Sequence, residues 1–181
     1  MTTAPSPSPA FIKALHTDRP APDRADKMAL YGWLIGDWAM DAVMHDVDGT
    51  TRTGSGEIHF GWVLEGRAIQ DVWIMRPHAL PGSGAPAPGG FYGTTLRIYD
   101  PGRDAWHILW IDPVKQYYTR QIGRAQGRDI VQEGKNESGD SVRWRFTAIT
   151  PDSFHWLGER SRDGGATWHL EVEFFARRVA A

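Results

Sequence analysis

From about residue 36 onward the chain alternates apolar and polar positions with a period of two, in short segments cut by turn residues. In residues 166–178, Trp168, Leu170, Val172 and Phe174 alternate with His169, Glu171 and Glu173. That pattern predicts a strand with one face, Trp168 included, turned to a core. Residues 141–149 repeat it, with Val142, Trp144, Phe146 and Ala148 set against Arg143, Arg145 and Thr147. The punctuation is regular. DVDGT (46–50), DPGRD (100–104), RAQGRD (124–129), ESGD (137–140), TPDS (150–153) and RDGG (162–165) all carry tight-turn chemistry. The spacing predicts strands over residues 36–46, 51–63, 67–75, 91–99, 105–112, 117–124, 128–135, 141–149, 153–161 and 166–178. Short turns between successive strands make a meander, and a long meander loses its exposed edges by closing on itself. The expected fold is all-β, an antiparallel up-and-down barrel of about ten strands.

Some segments break the rhythm. Residues 105–112 are apolar on both faces, with Trp106, Ile108 and Trp110 on one and Leu109 and Ile111 beside His107 on the other. Such a strand needs a cover on its outside, either the N-terminal segment or a second copy, and a homodimer is the expectation, with Trp106 facing the partner. Residues 76–90, RPHALPGSGAPAPGG, form a long loop expected to border any open barrel mouth. Residues 1–25, rich in Pro, Ala and Ser, read as a flexible tail with one helical turn near Phe11 to Leu15. A short helix is expected over residues 26–35, with Asp26 as N-cap and Met28, Leu30, Tyr31 and Leu34 near one face. The domain division is thus a tail, 1–25, and a barrel, 26–181.

Composition narrows the function. A formal charge of −2 and a pI near 6.4 argue against a nucleic-acid partner. With no cysteine, disulfides and thiolate metal sites are excluded. No window approaches the ~18 uninterrupted apolar residues of a membrane helix. The start, MTTAPSPSPAF, lacks the basic and apolar regions of a secretory signal, so a cytoplasmic location and no membrane contact are expected. Nine tryptophans are many for 181 residues, and Trp both fills cores and walls apolar pockets.

WLIGDW (33–38), entering a strand, resembles the G-x-W start of calycin barrels, in which the Trp packs across the barrel floor; here the pair is Gly36 and Trp38. With EIHFGWVLEGRAIQDVWI (57–74), TTLRIYDPGRDAWHILWIDP (94–113) and SFHWLGERSRDGGATWHLEVE (153–173), residues 30–178 resemble a bacterial family of uncharacterised lipocalin-like proteins. The resemblance implies a calycin-like barrel and carries no reaction and no catalytic residues. Ser161, Asp163, Gly165, Thr167 and Trp168 also resemble the Asp-box of sialidase-type propellers. Occurring once in so short a chain, it predicts a hairpin whose Asp ties down the turn, not glycoside hydrolysis.

Motifs for chemistry are few. The seven histidines show no metal-ligand spacing, so no metal or other cofactor is expected; His155 is the one candidate for a haem ligand, in a strand whose facing is ambiguous. No nucleophile elbow or phosphate cradle is present. What remains is an apolar barrel cavity for a small hydrophobic molecule. Its candidate lining is Trp73, Trp110, Trp144 and Trp156, with His59, Gln70, Asp71, Arg97, Asp112 and Arg120 as polar candidates. Asp71 and Asp112 each interrupt an apolar run, where a carboxylate is costly to bury unless paired. An Arg from a neighbouring strand would make either a structural ion pair. An unpaired one, or a His facing the lumen, would instead be the acid or base that a cofactor-free isomerase, cyclase or hydratase requires. A packed barrel with an outer interaction face is the third reading.

Overall fold

A computed structural model describes residues 9–77 and 90–180. After helix α1 (Pro9–Leu15) and the two-residue strand β1 (His16–Thr17) come a 3-10 turn (Pro22–Arg24) and helix α2 (Ala25–Gly32). The strands that follow are β2 (Gly36–His45), β3 (Thr51–Val63), β4 (Ala68–Pro77), β5 (Phe91–Asp100) and β6 (Ala105–Asp112). The last are β7 (Tyr117–Gln126), β8 (Asp129–Lys135), β9 (Ser141–Thr147), β10 (Ser153–Ser161) and β11 (His169–Arg178).

Each strand from β2 to β11 pairs antiparallel with the next, and β11 pairs back onto β2, closing a ten-strand up-and-down barrel. The eleventh strand, β1, adds to β3 through His16↔Val63 and Thr17↔Trp62. Part of segment 1–25 is therefore regular structure laid on the barrel, and Ala21, 2% exposed, donates its N–H to the Gly66 carbonyl at 3.0 Å. The cause is that β3 runs past the start of β2 and leaves backbone groups that β1 satisfies.

Helix α2 plugs one end. Met28 and Tyr31 are fully buried, as is Leu34 just beyond, whereas Leu30 is only half-buried. The helix starts before Asp26, so the capping position falls to Arg24, which makes no side-chain cap. Asp26 instead sits in the first turn, where a carboxylate complements the helix dipole.

The G-x-W element builds the floor. Gly36 has φ +118°, a conformation that side chains resist, and it turns the chain from the helix into β2. Trp38, 1% exposed, donates Nε1–H to the Leu34 carbonyl at 2.7 Å and meets the edges of Trp33 and Phe154. Arg178, at the end of β11, lies 4.2 Å over the Trp38 ring and donates to the carbonyls of Ile35, Trp33 and Pro151. One side chain thus ties the end of β11 to the entry of β2.

Strand β11 departs from simple alternation. A β-bulge against Gly158/Glu159 in β10 makes Glu171 the extra residue, because Val172 pairs with Gly158 and Leu170 with Glu159. Val172, Phe174 and Ala176 keep the inner face, but beyond the bulge the faces exchange. His169 and Glu171 turn to the barrel mouth, and Trp168 stays half-buried outside the core, 4.0 Å under the Arg143 guanidinium. At the end of β9, Ala148 takes φ +49° and leaves the strand, so it does not continue the inner row of Val142, Trp144 and Phe146.

The hairpin between β10 and β11 is held by Asp163. Its carboxylate accepts from Thr167 Oγ1 at 2.6 Å, Thr167 N at 2.9 Å and Ser161 Oγ at 2.7 Å. Those bonds, that of the Thr167 hydroxyl first, hold the carboxyl well below the ordinary aspartate range. A depressed folded-state pKa stabilises above the unfolded value near 4 and stops doing so as the pH falls through the folded one. Asp163→Ala is therefore expected to lower the Tm at pH 7, with the gap from wild type narrowing below about pH 4. Thermal melts across pH 2–7 check it, and an unchanged Tm at pH 7 would contradict it.

In β6 the face carrying Trp106, Ile108 and Trp110 points inward. Trp106 is 2% exposed and packs on Tyr31, so it faces no partner. The outer face, with Leu109 half-buried and Ile111 exposed, is not covered within the described chain. No helix among the described residues is long and apolar enough to cross a membrane.

Candidate functional site

The strand interiors stack in layers above the floor. Floor residues Tyr31, Trp38, Trp106, Phe146 and Phe154 form a continuous edge-to-face cluster with Trp33.

The layer above it is polar. Asp71 of β4, 1% exposed, accepts from the Thr95 backbone N–H at 2.7 Å and from Arg97 Nη1 of β5. The guanidinium lies between the rings of Tyr31, Phe60 and Phe146, with centroids 5.4–5.8 Å away. Burial pushes the Tyr31 phenol pKa up, against the opposing pull of Arg97. Gln121 of β7 and Gln132 of β8 also point inward, 3% and 0% exposed. Their amide atoms, the Tyr31 hydroxyl, Arg97 Nε and Trp73 Nε1 have no hydrogen-bond partner among the described residues.

Next comes a cavity of about 470 Å³, within the roughly 300–1,000 Å³ of small-molecule sites. Its lining includes a run of aromatic contacts. Trp110 meets Trp144 (6.3 Å between centroids), Trp144 meets Trp156 (5.4 Å), and Trp156 stacks on Phe174 (5.0 Å). Phe174 meets Phe91 (5.9 Å), and Phe91 returns to Trp110 (5.8 Å). Trp73 bridges Trp156 and Phe174. Two glycines let large rings lie against this wall. A Cβ at Gly93 would come 2.5 Å from the Trp110 ring, and one at Gly158 would come 2.8 Å from the Trp156 ring.

A charged collar surrounds the mouth. Arg52 pairs with Asp46 at 2.9 Å and Arg160 with Glu171 at 2.6 Å. Asp112 is 2% exposed, and its Oδ1 accepts from the N–H groups of Val114 and Lys115 at 2.9 and 3.1 Å. That carboxylate shapes the β6–β7 turn. Lys115 reaches over the rim, with Nζ 5.5 Å from the Phe91 centroid. Desolvation draws its ammonium below the ordinary lysine range, against the pull of Asp112. Met75 near the end of β4 and Phe91 at the start of β5 both line the cavity. The expectation for loop 76–90 falls mainly on residues outside those described.

Of the candidates, Trp73, Trp110, Trp144, Trp156, Arg97 and Asp112 line this one cavity, and Asp71 lies directly behind Arg97. Three others do not reach it. His59 is exposed on the outer face of β3, with Nδ1 2.7 Å from Asp37. Gln70 precedes inward Asp71, so the pleat turns it outward, where it donates to Thr94 Oγ1 at 3.0 Å. Arg120 alternates with buried Thr119 and Gln121 and is exposed. His155 also faces outward, stacked on Phe175 at 4.3 Å and bonded to Glu173 at 2.7 Å. Arg143 and Arg145 clamp Glu159 outside the barrel, at 3.0 and 2.9 Å. Against desolvation, these guanidiniums hold the Glu159 carboxyl below its usual range.

Sequence reasoning missed Phe91, Phe174, Arg52, Lys115, Arg160 and Glu171 as neighbours of one site. Phe174 was legible as an inward residue; the collar comes from segments far apart in sequence and carries no local signal.

No family model matches the chain, and no curated protein sequence matches it significantly. Among solved structures it is similar to Rv2717c from M. tuberculosis, with a TM-score of 0.59 and 15% identity over 89% of this chain and 99% of that one. It is also similar to the S-type phycobiliprotein lyase CPES from Guillardia theta, with a TM-score of 0.58 and 10% identity over 84% of this chain and 92% of the lyase. At such identities the shared property is the fold, here a closed antiparallel β-barrel of ten strands.

Proposed function

We propose that the barrel binds a small, largely apolar molecule in the aromatic-walled cavity, with Trp73, Trp110, Trp144 and Trp156 as its principal contacts. The observation that carries this reading is the run of touching aromatic rings that lines a space of ligand size. Gly93 and Gly158 clear room for the indoles of Trp110 and Trp156, both of which line this space.

Acid–base catalysis has less support. A lumen acid must be free to exchange a proton. Here Asp71 is engaged by Arg97 and the Thr95 amide, Asp112 by two turn amides, and Glu171 by Arg160, while the two histidines at the cavity, His45 and His169, are bonded to Glu173 and to the His45 carbonyl. A haem held through His155 is disfavoured because that imidazole lies on the opposite side of the wall.

The test is a titration of intrinsic Trp fluorescence with a panel of flat hydrophobic molecules, haem included. Saturable quenching is expected for at least one, with affinity falling about tenfold or more in Trp156→Ala. A flat response across the whole panel would sink the proposal.

A further inference from the structure

The cations around the cavity are not equivalent. Arg97 is matched by Asp71, Arg52 by Asp46 and Arg160 by Glu171. Lys115 differs, because among the described residues no carboxylate lies within ion-pair distance of its ammonium. The nearby carboxylate, Asp112, attracts the ammonium, but its Oδ1 is occupied by the backbone of its own turn. The rim therefore offers one ammonium with no ion-pair partner among the described residues, beside aromatic rings of the lining.

We propose that Lys115 anchors the carboxylate of an amphipathic aromatic acid whose ring system fills the cavity, an inference that rests on the cavity being a ligand site. The orientation follows from where charge is tolerated. Deeper in the barrel Arg97 is already neutralised by Asp71, so a carboxylate there would bury an uncompensated negative charge. At the mouth the carboxylate keeps part of its hydration and gains the ammonium, a compact donor suited to a single anionic group. The paired collar residues then act as polar walls, and the rings of Trp110, Trp144 and Trp156 take the body of the ligand.

The experiment compares matched pairs in wild type and Lys115→Met: a graded series of naphthyl- and anthracenyl-alkanoic acids and the methyl ester of each. Trp quenching supplies the affinities, and circular dichroism confirms that the variant is folded. Wild type is expected to bind the best-fitting acid about tenfold tighter than its ester, a preference that shrinks with added salt. Lys115→Met should lose that preference while binding the ester as before, and Lys115→Arg should restore most of it. The proposal is overturned, with the cavity reading intact, if acid and ester bind wild type alike. It is also overturned if the acid preference survives in Lys115→Met, or if that variant weakens both members equally. If no acid and no ester binds, the cavity reading fails and this inference fails with it.

Discussion

Arg97→Met is expected to destabilise the folded barrel by about 3–5 kcal/mol, because it strands the Asp71 carboxylate, 1% exposed, without its counter-charge. The guanidinium also packs among Tyr31, Phe60 and Phe146, so its loss removes ring contacts that methionine only partly replaces. For a domain of this size each kcal/mol moves the Tm by about 2–4 °C, which makes the effect large in a thermal melt. The double variant Asp71→Asn/Arg97→Met separates charge from packing. Asn keeps an acceptor for the Thr95 amide and removes the buried negative charge, so the double variant should be more stable than Arg97→Met alone. If the two substitutions simply add, the pair is not a coupled unit and the polar layer is held by something else. Affinity for a cavity ligand is expected to change less than stability, since the pair lies at the bottom of the site.

The legibility of this chain in its sequence follows the range of the physics involved. Turn chemistry is local, and all ten predicted strands are present because DVDGT, DPGRD, ESGD and RDGG dictate where the chain reverses. Strand parity is nearly local. Asp71 shares its face with Trp73, so an inward Trp73 places Asp71 inside and Gln70 outside. The same rule turns Arg120 outward once Thr119 and Gln121 are inside. Parity fails where the ladder itself shifts. The alternation of Trp168 to Phe174 reads as one unbroken face, yet the bulge at Glu171 exchanges the faces of Leu170 and His169. The collar was beyond reach for a different reason. Arg52, Lys115 and Arg160 meet only because the barrel closes, and closure is a property of the whole sheet.

Trp38→Ala is expected to cost a further large sum, about 3–5 kcal/mol, as for other fully buried tryptophans. The indole joins the segment that follows α2 to β2, β10 and β11. It bonds to Leu34, meets Trp33 and Phe154 edge-on, and lies under Arg178, which itself holds the carbonyls of Ile35 and Trp33. Removing it leaves a void in the floor and takes away the surface on which Arg178 rests, so the closure of β11 onto β2 should loosen as well. Faster amide exchange at Arg177 and Arg178 than in the middle of β11 would report that loosening. Trp38→Phe fills most of the void without the Nε1 donor and should recover more than half of the loss. Trp38 lies below the polar layer, away from the cavity wall. Where Trp38→Ala remains folded, its ligand affinity should therefore match wild type, whereas Trp156→Ala should lose affinity out of proportion to its loss of stability. Equal losses of affinity in the two variants would mean that floor and cavity are one mechanical unit, and the layered description of this barrel would not hold.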